Sequence, residues 1–166
     1  MRFNEACTAV NNLSTALPHL FAGVALSFHF GSDKCSIGDW SEPSRIGVLI
    51  SGDGIGCLSG VYLFSSTAGN VVYIGKAGKN NLHNRVWHHM QTLAQLPSGR
   101  RNFPNNRFGS KTLCPILRAE IEDGRISLGV ITVSQPHLVP LIEVYLQTLH
   151  VKLHSGRLPE LNLQIG

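Results

Sequence analysis

GVYLF (residues 60–64), SSTAGN (65–70), VVYIGKAG (71–78) and KNNLHNRVWHH (79–89) form one continuous stretch, and its reading decides the fold. The first and third pieces are short β-branched and aromatic runs, and the Ser/Thr/Gly/Asn piece between them is a turn signal, so together they predict a β-hairpin followed by a helix. If the hairpin is symmetric about the step from Thr67 to Ala68, Tyr62 lies directly across from Tyr73, and opposed residues share one face of a sheet. Lys76 and Lys79 follow in a glycine-containing loop. Arg85, His88 and His89 then fall three and four residues apart, a spacing that stacks them along one side of a helix. Phenols, ammonium, guanidinium and imidazole gathered on a small sheet suit a phosphate.

Working outward toward the C-terminus, Leu82, Val86, Met90 and Leu93 make the apolar stripe of a helix over 81–96, which Pro97 ends. Arg85 and His89 border that stripe. The next segment, SGRRNFPNNRFGSK (98–111), is polar and basic, with Phe103 and Phe108 set between arginines. It reads either as a nucleic-acid contact, through Arg100, Arg101, Arg107 and Lys111 with stacking phenylalanines, or as a surface loop whose two Phe side chains pin it to the core. Residues 112–122 are expected as a helix, 125–133 as the third strand of the sheet, and 135–152 as a further helix with Pro140 in its opening turn. Between Arg125 and Lys152 the only charged residue is Glu143. A carboxylate in so apolar a helix calls for a partner, because burying an unpaired charge is costly. That partner is a divalent metal, or a basic residue such as Arg85, unless Glu143 takes an exposed position on the helix.

On the N-terminal side, residues 3–17 have helical periodicity and 20–30 are more β-like, followed by an irregular connection (31–44) and a short strand (46–50). The glycines of SGDGIGCLSG (51–60) complete no nucleotide-binding pattern and lead into no helix, so they read as a flexible approach to the hairpin.

The 166 residues are most simply one domain, and a content of 43% hydrophobic and 14% charged residues is globular. Charge is unevenly placed. Residues 1–60 carry three Lys/Arg and five Asp/Glu, a balance of −2, whereas 61–166 carry eleven and five, a balance of +6. From Lys76 to Arg118 there are eight basic residues and no acidic one, so a polyanion is the expected partner of that half. Cys7, Cys35, Cys57 and Cys114 form no C-x-x-C pair, which points to free thiols rather than a zinc cluster. The most apolar N-terminal piece, 16–28, is interrupted by Pro18 and His19 and falls short of the roughly 20 residues that span a bilayer. A soluble, cytoplasmic protein is the expectation.

Gly60-Val61-Tyr62 and Tyr73-Ile74-Gly75, with ten residues between the tyrosines and Arg85 twelve past the second, resemble the paired triplets of the GIY-YIG nucleases. His89, Glu143 and Asn162, the last in the closing LPELNLQIG (158–166), follow in the order that family has. The resemblance covers about 58–166 and leaves 1–57 as an N-terminal extension that reads DNA, dimerises or completes the core. It implies an α/β domain with a small three-stranded antiparallel sheet flanked by helices, and a DNA endonuclease dependent on one Mg²⁺ or Mn²⁺. Glu143 would be the metal ligand, Arg85 would hold phosphate oxygens, Tyr62 would be the general base with Tyr73 orienting substrate or water, and Asn162 would help position the site. Lys76 and His89 would have to lower the phenol's pKa, since a tyrosine near 10 is a poor base at neutral pH. Adjacent helix positions diverge by about 100°, so His88 and His89 do not share one ion; His88, like Lys79, is expected to contact DNA. Within the class, a restriction-type enzyme cutting a defined site is favoured, with a possible homodimer for two-strand cleavage. A structure-specific repair or recombination nuclease and a non-specific nuclease toxin are alternatives. From other classes, a DNA-binding module without chemistry and a partner-binding domain with an incidental basic surface compete.

Overall fold

The structure, a computed structural model, describes residues 1–30, 54–98, 101–108 and 114–166. The expected connection at 31–44 and the expected strand at 46–50 lie outside the described residues. In chain order the elements are α1 (Phe3–Ala16), α2 (Pro18–Phe21), β1 (Leu26–Phe30), a 3₁₀ turn (Ile55–Cys57), β2 (Gly60–Ser65), β3 (Val71–Ala77), α3 (Leu82–Met90), β4 (Thr92–Gln95), β5 (Arg101–Asn105), α4 (Pro115–Glu122), β6 (Ser127–Val133), a second 3₁₀ turn (Pro136–Leu138) and α5 (Val139–Leu153).

The architecture is mixed α/β, built on an antiparallel sheet of four strands in the order β1-β6-β2-β3, with β4 and β5 as a separate two-stranded ribbon. The expected sheet of three strands is corrected to four. The added strand is β1, paired to β6 from Leu26↔Val133 to Phe30↔Gly129. Residues ahead of the hairpin are therefore part of the same sheet, and Phe3 of α1 packs over Gly129 so closely that a Cβ there would stand 2.2 Å from its ring.

The expected hairpin forms, with a different register. Tyr62 pairs with Gly75 and Phe64 with Tyr73, and a bulge interrupts the ladder between Phe64 and Ser65. The pairing is offset by two from the symmetric expectation, one of them from the bulge, so Tyr62 and Tyr73 are diagonal neighbours on one face rather than directly opposed. Gly69, at φ 79°, makes the turn in a conformation few other residues adopt. Glu120 of α4 clamps the turn, accepting from the Thr67 amide at 3.1 Å and from the Thr67 hydroxyl.

Every residue of β2 and of β6 is buried, as both strands lie inside the sheet and both faces are covered. One face packs aliphatic Val61, Leu63, Ile74, Ile131 and Val133 against Val10 and Leu13 of α1 and Ile142 and Leu146 of α5. The other packs Tyr62, Phe64, Leu128 and Val130 against Val86 and Met90 of α3, Leu117 and Ile121 of α4, and Phe103 and Phe108. Each fully buried large apolar side chain contributes about 1.5–3 kcal/mol against leaving it in water.

Helix α3 ends six residues before the expected stop at Leu96. Gln91 takes φ 49°, breaking the helix, and the chain turns into β4, which pairs with β5. Leu93 thus belongs to a strand, and the basic segment begins as ribbon rather than loop. Phe103 and Phe108 are each 1% exposed, so they anchor that segment in the core and do not offer faces to bases. Helix α4 starts at Pro115 and β6 at Ser127, each later than expected, and α5 starts at Val139 because a 3₁₀ turn over Pro136–Leu138 precedes it. Among the described residues, no helix is long and apolar enough to cross a membrane.

Candidate active site

The site is assembled at the edge of the sheet, where β3 has β2 on one side and, among the described residues, no strand on the other. Side chains alternate along β3: Tyr73 and Gly75 face α3, whereas Lys76 reaches to α5. A Cβ on Gly75 would stand 2.6–2.7 Å from the Tyr62 ring and hydroxyl and from the Tyr73 ring. Both phenols therefore lie over bare backbone, and this glycine is what allows them to approach. Their ring centroids are 6.0 Å apart.

Tyr62 is fully buried, and its hydroxyl lies 2.9 Å from Nε2 of His89. His89 comes from the last turn of α3, is itself buried, and is stacked on Phe108 at 4.8 Å with ring planes 8° apart. Tyr73 lies 4.7 Å from the same imidazole, centroid to centroid, and keeps part of its surface in solvent. Burial pushes the pKa of both phenols above the ordinary tyrosine value. For Tyr62 the neighbouring Tyr73 adds to this and the Arg85 guanidinium opposes it; for Tyr73 the Glu143 carboxylate pushes up while Arg85 and Arg107 pull down. The expected direction is thus corrected: burial outweighs the cations, and Tyr62 is held as a neutral phenol. The Lys76 ammonium, expected to help the phenolate, is instead engaged elsewhere.

Lys76 Nζ donates to Glu143 Oε2 at 2.5 Å and to the Gly166 carbonyl at 3.2 Å. Glu143 is 5% exposed, so its partner is Lys76 and not the Arg85 considered from sequence. Arg85 is exposed on α3, and its Nε donates to the Lys76 carbonyl at 3.3 Å. One residue of the edge strand, Lys76, therefore touches the α5 carboxylate with its side chain and the α3 guanidinium with its backbone. The charges of Glu143 and Arg85 act on both phenols.

Asn162 closes the strand edge in place of a neighbouring strand. Its Oδ1 accepts from the Ile74 amide and its Nδ2 donates to the Ile74 carbonyl, each at 2.9 Å. Gln147, one helical turn past Glu143 on the same side of α5, donates to that carbonyl at 3.2 Å and accepts from the Gly166 amide at 2.7 Å. Ile74 lies between Tyr73 and Gly75, so these amides fix the backbone from which the site hangs. Sequence reading missed Gln147 and the steric role of Gly75. A polar residue four places past Glu143 in an apolar helix was the available signal for the first; the second needs coordinates.

Lys79, His88 and Arg107 are exposed, as contacts to a polyanion require. Arg107 joins the site through its amide, which donates to the His89 carbonyl at 2.9 Å. The backbone of Arg101 lies in β5, while its side chain, Arg100 and Lys111 lie outside the described residues.

Among the described residues, no three His, Cys, Asp or Glu side chains are gathered around one point. A hard divalent cation with octahedral demands is nonetheless commonly held by one or two carboxylates, with waters and substrate phosphate completing its shell. Glu143 fits such a donor set: Oε2 accepts from Lys76, and Oε1 accepts from no described residue. No family model, curated protein or solved structure matches this chain.

Proposed function

We propose that the protein is a metal-dependent DNA endonuclease of the GIY-YIG kind, hydrolysing phosphodiester bonds, and most simply a restriction-type enzyme cutting a defined short site. The observation that carries this reading is the gathering, at the β3 edge of the sheet, of the Glu143 carboxylate, the Arg85 guanidinium and the two phenols. A buried acid that is the only charged residue of α5 ahead of Lys152 in its last turn is hard to account for in a domain that merely binds DNA.

Hydrolysis needs an aligned water, an acceptor for its proton, and positive charge where the transition state gathers negative charge. Arg85, exposed and planar, presents two donors to phosphate oxygens, a geometry lysine does not reproduce. Tyr62 begins as a neutral phenol whose oxygen faces the His89 imidazole. When the attacking water gives its proton to the Tyr62 oxygen, the phenolic proton passes to Nε2 of His89, and no free phenolate is needed at neutral pH. That step requires the His89 tautomer with hydrogen on Nδ1. Tyr73, partly in solvent beside the same imidazole, orients water or substrate. A Mg²⁺ or Mn²⁺ ion on Glu143 would supply Lewis-acid stabilisation of the phosphoryl and leaving oxygens. Arg107, Lys79 and His88 offer sequence-independent contacts to the flanking phosphates.

Sequencing the ends released from plasmid DNA incubated with the protein and Mg²⁺ tests the proposal. Ends at one short recurring sequence are expected. Ends at unrelated sequences mean a non-specific nuclease, cleavage confined to flaps or junctions means a repair-type enzyme, and retarded but intact DNA means a binding module.

A further inference from the structure

The Lys76–Glu143 contact occupies the only side-chain carboxylate that the described residues bring to the site, and it is the tightest polar contact they make there. Two oxygens converge on one ammonium: Glu143 Oε2 at 2.5 Å and the Gly166 carbonyl at 3.2 Å. Charge, not packing, explains the arrangement, since the Lys76 side chain keeps 33% of its surface in solvent while the Glu143 side chain keeps 7%. A buried carboxylate without a counter-charge would be strongly disfavoured, and Lys76 supplies that charge. Removing Lys76 alone therefore leaves Glu143 seeking another cation.

We propose that Lys76 is a resident counter-cation that competes with the divalent ion for Glu143, so that the ion binds only by displacing the ammonium from the carboxylate. This inference rests on the metal-dependent reading above and deepens it, because it assigns Lys76 a role opposite to that of a residue assisting the ion. The physical ground is Coulombic. An ammonium and a divalent cation on one carboxylate repel each other, and the partial burial of the site keeps that repulsion from being fully screened. The displaced ammonium sits on a long stem with a third of its surface in solvent, free to follow the phosphate backbone of a bound duplex. A free ion thus meets a carboxylate whose charge is already countered at Oε2, and its affinity without DNA is lower than a lone glutamate would give.

The experiment is a titration of the purified protein with Mn²⁺ alone, followed by electron paramagnetic resonance, on wild type, Lys76→Met, Lys76→Arg and Glu143→Gln. Thermal melts establish that each variant is folded. Lys76→Met should bind Mn²⁺ roughly tenfold more tightly than wild type, the order expected on deleting one charge beside a partly buried site. Lys76→Arg, which keeps the charge, should not tighten binding, and this separates competition from a change in packing. If Lys76→Met leaves the affinity unchanged or weakens it while Glu143→Gln abolishes binding, the counter-cation inference is overturned and the metal reading stands. Wild-type binding that Glu143→Gln does not alter overturns both. If Lys76→Met does not fold, Lys76→Gln answers the same question.

Discussion

The two faces of the sheet bury comparable numbers of side chains and are put to different use. On the α1/α5 face the contacts are aliphatic, between Val61, Leu63, Ile74, Ile131, Val133 and the two helices. On the α3/α4 face the same strands present Tyr62, Phe64 and Tyr73 to His89, Phe103 and Phe108, in an array whose centroids lie 4.7–6.0 Å apart for the pairs that meet His89 and Phe108. The aliphatic face supplies stability without direction, since dispersion and burial are indifferent to charge. The aromatic face supplies titratable groups in fixed positions, at the cost of burying hydroxyls that need partners. Neither face alone holds the site. Glu143 comes from the aliphatic side, and the edge at Gly75 and Lys76, with no further strand among the described residues, lets its charge reach the phenols.

Substitutions on the two faces should therefore fail differently. Glu143→Gln should have the largest effect, lowering the rate of plasmid nicking by about a thousandfold or more with the melting temperature little changed, since loss of transition-state charge stabilisation is worth several kcal/mol. Arg85→Lys keeps the charge and loses the fork, and gel assays should show about a hundredfold loss. Gly75→Ala forces a Cβ onto both phenol rings and should both destabilise, by about 1–3 kcal/mol in urea titrations, and lower cleavage. Gly129→Ala, which meets Phe3 on the other face, should destabilise by a similar amount and leave the rate per folded molecule unchanged. Equal losses of activity for the two glycine variants would erase the distinction between the faces.

The smallest effect concerns pH. The Tyr62 pKa in the folded chain lies above its unfolded value of about 10, because burial disfavours the phenolate. Its contribution to stability is full below that unfolded value and is lost as pH rises above it, when ionisation favours the unfolded chain. Melting temperatures of wild type should accordingly fall more steeply above pH 10 than those of Tyr62→Phe.

Much of this arrangement was legible in the residues. The turn signal at 65–70 between two β-branched runs specified the hairpin, and the 3.6-residue stripe specified α3, because both are local patterns. What escaped depends on contacts between distant segments. The β2–β3 register turns on one bulge between Phe64 and Ser65, which composition does not announce. Helix α3 stops at Met90 because Thr92–Gln95 gains a partner in Arg101–Asn105, a tertiary pairing that overrides helical periodicity at Leu93. Strand β1 was visible as a β-like run, but its partner β6 lies near the other end of the chain. Glu143 was singled out by its isolation, with a buried, partnered position and an exposed one both left open, and the structure buries it; that Lys76 rather than Arg85 meets it follows from strand alternation at the edge, visible only once the register is known.

The central claim is that Glu143, Arg85 and the two phenols serve one phosphodiester-cleaving site, and the conversion of supercoiled plasmid by the wild-type protein, in Mg²⁺ and after chelation, tests it most directly. Nicked or linear product in Mg²⁺ that disappears with chelator is the expected result. Plasmid left supercoiled in Mg²⁺, or cut equally well in the presence of chelator, would contradict the account.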